Sequence, residues 1–244
     1  MMKKTLAIVS VGTRQMLADP LFLMFSMVLP VLITWVMSFL PDQPGGGGYE
    51  MAILGVLVMF VGLNIITAAG GYILEEKQNG TWQRILASST SYWQLMAGYF
   101  IKIFMLAWLQ ALILLLSSKY LFGAPWDKGY LEMAVVVTTY IFAMTGLGLF
   151  IAGFLKSQGQ VQIIAVAIVM VGTMLGGVFF PIDTSSAVIR VINSVSPQSW
   201  AAHALNDIFT VGVSLSSLAE PLLWMAAIGT LLLIGGVYKI QLEG

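Results

Sequence analysis

The 244-residue chain has no cysteine and a single histidine, His203. Disulfides, thiolate metal sites and cysteine nucleophiles are therefore excluded, as is any metal centre built from several histidines. Charge is scarce as well: 9% of the residues are Asp, Glu, Lys or Arg, against roughly 25% in an ordinary soluble domain. Eleven basic side chains balance eleven acidic ones, which leaves no basic field to hold nucleic acid and no acidic tail. The composition is instead apolar, with 59% hydrophobic residues and a mean hydropathy of +0.92. A soluble globular enzyme is all but excluded, and a lipid membrane is the solvent that suits such a chain.

A membrane-spanning helix needs about 20 mainly apolar residues, and runs of that kind lie at 21–40, 51–74, 95–116, 133–155, 161–180 and 222–238. The expected fold is an all-α integral membrane protein of six transmembrane helices, a single transmembrane domain over 1–244. Asp19-Pro20 supplies an N-cap acid and a first-turn proline for the first span, and Pro41-Asp42-Gln43-Pro44 with four glycines ends it. Lys and Arg are retained on the cytoplasmic side, whereas acids contribute little. With the N-terminus inside, Lys3, Lys4, Arg14, Lys77, Arg84, Lys156 and Lys239 are cytoplasmic, and only Lys119, Lys128 and Arg190 lie outside. The expectation is a multi-pass protein of the cell membrane with both termini cytoplasmic. Lys102, inside the third span, either snorkels to the inner interface on its long stem or serves a polar role within the bundle. Residues 1–19 resemble a signal peptide only in part, because Arg14 and Gln15 interrupt the short apolar stretch. As a helix they segregate Leu6, Val9, Met16 and Leu17 from Lys3, Ser10 and Arg14, which predicts an amphipathic helix along the cytoplasmic interface.

The densest charge lies between the second and third spans, over 75–91. Asn79-Gly80 signals a turn, Thr81 can N-cap the helical turn after it, and Trp82, Ile85, Leu86 and Ser89 fall at helical spacing. A short helix with one apolar face is expected there, serving either as a solvated loop with an interfacial Trp or as a cytoplasmic knob that docks into another protein. At the far end of the fifth span, Gly176-Gly177 followed by Pro181 weakens or bends the helix. Non-helical backbone at membrane depth must be buried in protein or face water, so Gly176, Gly177, Phe179, Phe180 and Pro181 form either an outer gate or a plain helix terminus. Over 181–220 two amphipathic helices are expected to lie on the outer surface and cover the bundle. The first carries Val188, Ile189, Val191, Ile192 and Val195. The second starts at Ser196-Pro197 and sets Trp200, Ala201, Ala204, Leu205, Ile208 and Phe209 opposite His203, Asn206, Asp207 and Thr210. His203 reads as a solvated interface residue or, alternatively, a pH sensor.

The chain has no phosphate-binding G-x-x-x-x-G-K-[ST], no H-E-x-x-H, no G-x-S-x-G and no pair of acids inside the spans. It is not expected to hydrolyse ATP itself. Mid-membrane acids and paired broken helices, which commonly mark ion-coupled secondary transporters, are also lacking. Such a transporter or a channel is the alternative reading.

Two stretches carry a family likeness. Glu76, Lys77, Gly80, Thr81, Leu86, Ser91 and Gly98 match an E-K-x-x-G-T-x-x-x-L-L inner-loop pattern and its sequel. Gly176 to Ile182 matches a G-x-x-F-P element, and Pro197 with Trp200 a later P-x-x-W/Y element. Ser89, Tyr99 and Ser186 depart from the pattern, standing where Pro, Lys and Pro are common. In this order the sequence resembles the ABC-2 family of ABC-transporter permeases.

That resemblance implies a half-transporter that pairs with a second permease half, identical or related, and is driven by a separate ABC ATP-binding subunit. No cofactor is expected in this chain, because ATP and Mg would be bound by the partner. Coupling to the ATPase falls by analogy on Glu75, Glu76, Lys77, Gly80, Thr81, Trp82, Arg84, Ile85 and Leu86, with Arg14 beside them. Glu75, Glu76 and Arg84 would form ion pairs, while Trp82, Ile85 and Leu86 fill an apolar groove on the partner. The translocation path would follow the second and fifth spans at the dimer axis. Its candidate lining is Phe60, Asn64 and Thr67 with Met170, Thr173 and Met174, Asn64 being either path or interhelical glue. A path so apolar suits a hydrophobic or amphiphilic cargo such as a drug, antibiotic or lipid-like molecule, moved outward.

Overall fold

The computed structural model describes residues 20–39, 49–82, 84, 92–124, 128–179 and 186–242. The described chain is built from helices: α1 (Pro20–Leu23), a π-helical turn (Met24–Val28), α2 (Leu29–Met37), α3 (Tyr49–Gln78), α4 (Tyr92–Tyr120), α5 (Tyr130–Ala152), α6 (Gln158–Met174), α7 (Ala187–Val195), α8 (Pro197–Thr210) and α9 (Ala219–Leu242). Among the described residues four helices are long and apolar enough to cross a membrane: α3 over Met51–Gln78, the whole of α4 and of α5, and α9 over Ala219–Gln241. The π-turn with α2, and α6, are shorter apolar helices. The expected N-terminal amphipathic helix with Arg14 lies outside the described residues.

Helix α3 forms the centre. Ile53, Leu54, Val56, Leu57, Val61, Ile65, Ile66, Ala69 and Ile73 are all buried, and α3 packs against α2, α4, α5, α6 and α8. Apolar residues all round a helix are what such a position requires. Tyr140 of α5 is fully enclosed and donates its hydroxyl proton to the Val58 carbonyl at 2.6 Å. In α5 and α9, small residues bring the two backbones together. A Cβ added at Gly229 would lie 2.7 Å from Ala143 Cα, and one at Gly236 would lie 2.7 Å from Phe150 Cα. Where lipid removes most of the hydrophobic drive between helices, this close van der Waals approach is what holds them.

The break between α1 and α2 has a definite cause. Pro30 has no N–H to offer the Ser26 carbonyl four residues earlier, and its ring crowds that carbonyl. The helix widens there, with Leu29 N–H reaching Met24 O across five residues. The Ser26 carbonyl instead accepts a 2.7 Å hydrogen bond from Gln110 Nε2 of α4, both side chains being buried. A π-turn of this kind often marks a functional position.

Several element ends differ from the sequence reading. Helix α3 continues through Glu75, Glu76, Lys77 and Gln78 rather than ending at 74. Thirty residues at ~1.5 Å each span ~45 Å, beyond the ~30 Å of a hydrocarbon core, so the charged last turn stays helical outside it. Conversely, α6 stops at Met174, six residues before the expected 180, and at ~25 Å is short for a crossing. Helices α7 and α8 are not alike. Helix α7 has no buried residue, whereas α8 buries Ala201, Ala202, Ala204, Leu205 and Ile208 against the bundle. Helix α8 covers the bundle as expected, its small residues fitting it into the groove between α3, α5, α6 and α9, whereas α7 does not. The amphipathic division itself is as expected, with His203, Asp207 and Thr210 exposed.

Candidate functional site

The charged end of α3 is closed by Asn79 and Gly80, Gly80 taking the left-handed φ of +67° that suits a residue with no Cβ. The chain then turns back on itself. Thr81 lies within the next helical turn rather than capping it, and its hydroxyl bonds to the Glu76 carboxylate and to the Glu76 carbonyl, the latter at 3.1 Å. Trp82 is 2% exposed. Its ring stands edge-on to Tyr92 of α4 at 6.5 Å, and Lys77 Nζ lies 5.6 Å from its centroid. Tyr92 in turn donates to the Val237 carbonyl of α9 at 2.7 Å. The picture of Trp82 filling a groove on another protein is thus corrected: it fastens the knob to its own bundle. Glu75 and Arg84 remain exposed on that knob. Ile85 and Leu86 lie outside the described residues.

Beside the knob, a cavity of about 870 Å³ runs between the π-turn, α3, α4 and α6. Asn64, Thr67, Tyr72, Tyr99, Lys102, Glu75, Glu76 and Thr81 are among its lining. Lys102 is 6% exposed, with Nζ 3.3 Å from the Tyr72 ring centroid. Of the two readings of Lys102, the structure favours a polar role inside the bundle over snorkelling, since a ring face and nearby carboxylates stabilise the ammonium there. Ser26 is 3% exposed, and neither its Oγ nor Asn64 Nδ2 finds a hydrogen-bond partner among the described residues.

The remaining expected path residues are scattered. Phe60 is buried in the core cluster, away from this lining. Thr173 is fully buried near the C-terminal end of α6, whereas Met170 and Met174 on the same helix are exposed. Of the expected path residues, Asn64 and Thr67 alone share the cavity. Their companions Ser26, Tyr72, Lys102 and Gln162 escape a reading of the sequence as a group, although each is a polar side chain within or beside an apolar run, the one signal that singles out such positions.

At the C-terminal end of α6, Gly177 has φ +69° and Val178 N–H bonds to Thr173 O at 3.2 Å, a six-to-one closure that ends the helix. Ser199 of α8 donates to the Gly176 carbonyl at 3.0 Å, and a Cβ on Gly176 would strike the Ser199 hydroxyl. Phe179 lays its ring on Gly55 of α3. The geometry here is a capped, tightly packed helix terminus; Phe180 and Pro181 lie outside the described residues.

Comparison with known proteins bears on what these parts do. Residues 3–210 match the family described as ABC-2 type transporter. Over 164 residues, 67% of this chain, the sequence is 33% identical to the linearmycin resistance permease protein LnrN of Bacillus subtilis (strain 168). It is also 25% identical over 141 residues, 57% of this chain, to the probable multidrug ABC transporter permease YbhS of Escherichia coli (strain K12). These alignments cover 42% and 37% of the two relatives, so the chain spans less than half the length of each.

Proposed function

Because the chain belongs to the ABC-2 type transporter family, we propose that it is the membrane half of an ATP-driven exporter, powered by a separate ATP-binding subunit and paired with a second permease half. The cargo is a hydrophobic or amphiphilic molecule, in keeping with relatives described as linearmycin resistance and multidrug permeases. Six crossings complete the membrane domain, the π-turn with α2 and the short α6 joining the four long helices. Lys77, Arg84, Lys156 and Lys239 lie at the cytoplasmic face with both termini, and Lys119, Lys128 and Arg190 lie at the other.

One observation carries the coupling step. The exposed Glu75 and Arg84 sit on a knob that is continuous with α3 and tied through Trp82 and Tyr92 to α4 and α9. A partner subunit that presses on this knob as it closes around ATP moves three helices at once, because packed elements shift as units. Arg84 offers the partner a bidentate cation at the tip. The test is ATP-driven transport by the co-purified complex with Arg84→Glu. Transport is lost while the permease remains folded in the membrane, and a matching acid-to-base change in the partner restores it. Unchanged transport refutes the coupling role.

The buried Lys102 supports a second reading, ion-coupled transport, since an ionisable group enclosed at a span often serves a proton or ion relay. Transport that survives without ATP and collapses with an ionophore would establish that reading instead.

A further inference from the structure

We infer that the cavity between the π-turn, α3, α4 and α6 is a loading site, within a single permease half, for the neutral, hydroxyl-rich head of an amphiphile. This rests on the export reading above and names the chemistry of the molecule that is loaded. The cavity, at about 870 Å³, falls in the range of ~300–1,000 Å³ that holds a ligand of some tens of atoms.

Its lining decides the chemistry. Ser26 and Asn64 line the cavity, and Ser26 Oγ and Asn64 Nδ2 are buried with no partner among the described residues. A buried polar atom left unpaired is costly, and it rewards a ligand that supplies the missing bond. A hydroxyl serves both, accepting from the Asn64 amide and either donating to or accepting from Ser26. Thr67 and Gln162 line the same space and add further donors and acceptors. Charge selects against anions: among the described lining residues stands one cation, Lys102, already placed over the Tyr72 ring, against two carboxylates, Glu75 and Glu76. Phe25 lines the cavity, and Met24, Phe25 and Val28 are exposed on the π-turn, so an alkyl tail leaves past them into lipid.

The absence of cysteine makes a direct test clean. A Cβ at Gly71 would meet nothing within 4 Å, and Gly71 lines the cavity. The Gly71→Cys variant in lipid nanodiscs therefore gives one thiol, whose labelling by a water-soluble thiosulfonate is timed with and without sub-micellar dodecyl maltoside, dodecanoate or dodecyltrimethylammonium. Ser214→Cys, in the exposed loop before α9, is the control. Dodecyl maltoside is expected to slow labelling of Gly71→Cys about tenfold more than either charged amphiphile, a preference of the size that one or two neutral hydrogen bonds give, and to leave Ser214→Cys unaffected. Adding Asn64→Leu or Ser26→Ala removes that preference while the unprotected labelling rate is kept. Equal protection by all three, stronger protection by dodecanoate, or no protection overturns the proposal. Protection without ATP-driven transport leaves the site standing and refutes the export reading, whereas transport without protection does the reverse.

Discussion

The bond from Gln110 to the first apolar helix gives a quantitative test of how this bundle is held. The Ser26 carbonyl cannot be served by residue 30, which is proline, and Gln110 Nε2 reaches it at 2.7 Å in a buried setting. Gln110→Leu keeps the bulk and removes the donor. A buried carbonyl left without a partner costs about 1–3 kcal/mol, and side-chain bonds between membrane helices average ~0.6 with a maximum of ~1.7 kcal/mol. A loss of about 1–1.5 kcal/mol, near the upper end, is expected because no backbone donor can replace the amide. Pro30→Ala restores an N–H at the right place. In that background the first helix can serve its own carbonyl, and Gln110→Leu should then cost less than ~0.5 kcal/mol. Reversible unfolding in mixed micelles, followed by helicity, measures all four corners of the cycle. Strict additivity, with the same loss in both backgrounds, would refute the assignment of the π-turn to Pro30 and of Gln110 as its remedy.

Tyr140→Phe deletes the 2.6 Å bond to Val58 O without changing the packing and should lower stability by about 1 kcal/mol in the same unfolding assay. Gly236→Leu forces a side chain into the Phe150 backbone; the α5 and α9 interface should open, read as loss of folded protein on size exclusion, while Gly71→Leu, where there is room, should leave the folded yield intact. Trp82→Ala empties the socket beside Tyr92, and the expected result is a folded permease whose bound ATPase turns over without transport, with Trp82→Phe recovering part of the coupling.

Much of the helical plan is legible in the sequence because apolar runs bounded by Pro, Gly and charge leave few alternatives in a membrane. Asn79-Gly80 turns the chain and Ser196-Pro197 starts a helix in the structure as in the sequence. Depth is not legible in the same way. Hydropathy stops a span where charge begins, yet backbone bonds continue α3 through Glu75 to Gln78, since nothing in Glu, Lys or Gln breaks a helix. The apolar face of α8 is legible as Ala201, Ala204, Leu205 and Ile208, but the helices it packs between are not, because a polarity pattern names no neighbour. Trp82 has a similar ambiguity, since an apolar residue in a charged loop can turn to a partner or to its own bundle, and here it turns inward. The cavity is a tertiary property: Ser26, Asn64, Lys102 and Gln162 come from four helices far apart in sequence. Each is visible as a polar residue in or beside an apolar run, but their meeting is not.

Whether this chain moves cargo only when a separate ATPase drives it is tested most directly on an assembly purified gently from its native membrane with all that stays bound. Reconstituted in vesicles, the assembly is followed by efflux of a fluorescent amphiphile with ATP, without ATP, and with Arg84→Glu. The expected result is a co-purifying ATP-binding subunit near one copy per permease, efflux that requires ATP hydrolysis, and loss of efflux in Arg84→Glu. Transport that continues without ATP, with no ATPase in the assembly, would contradict it.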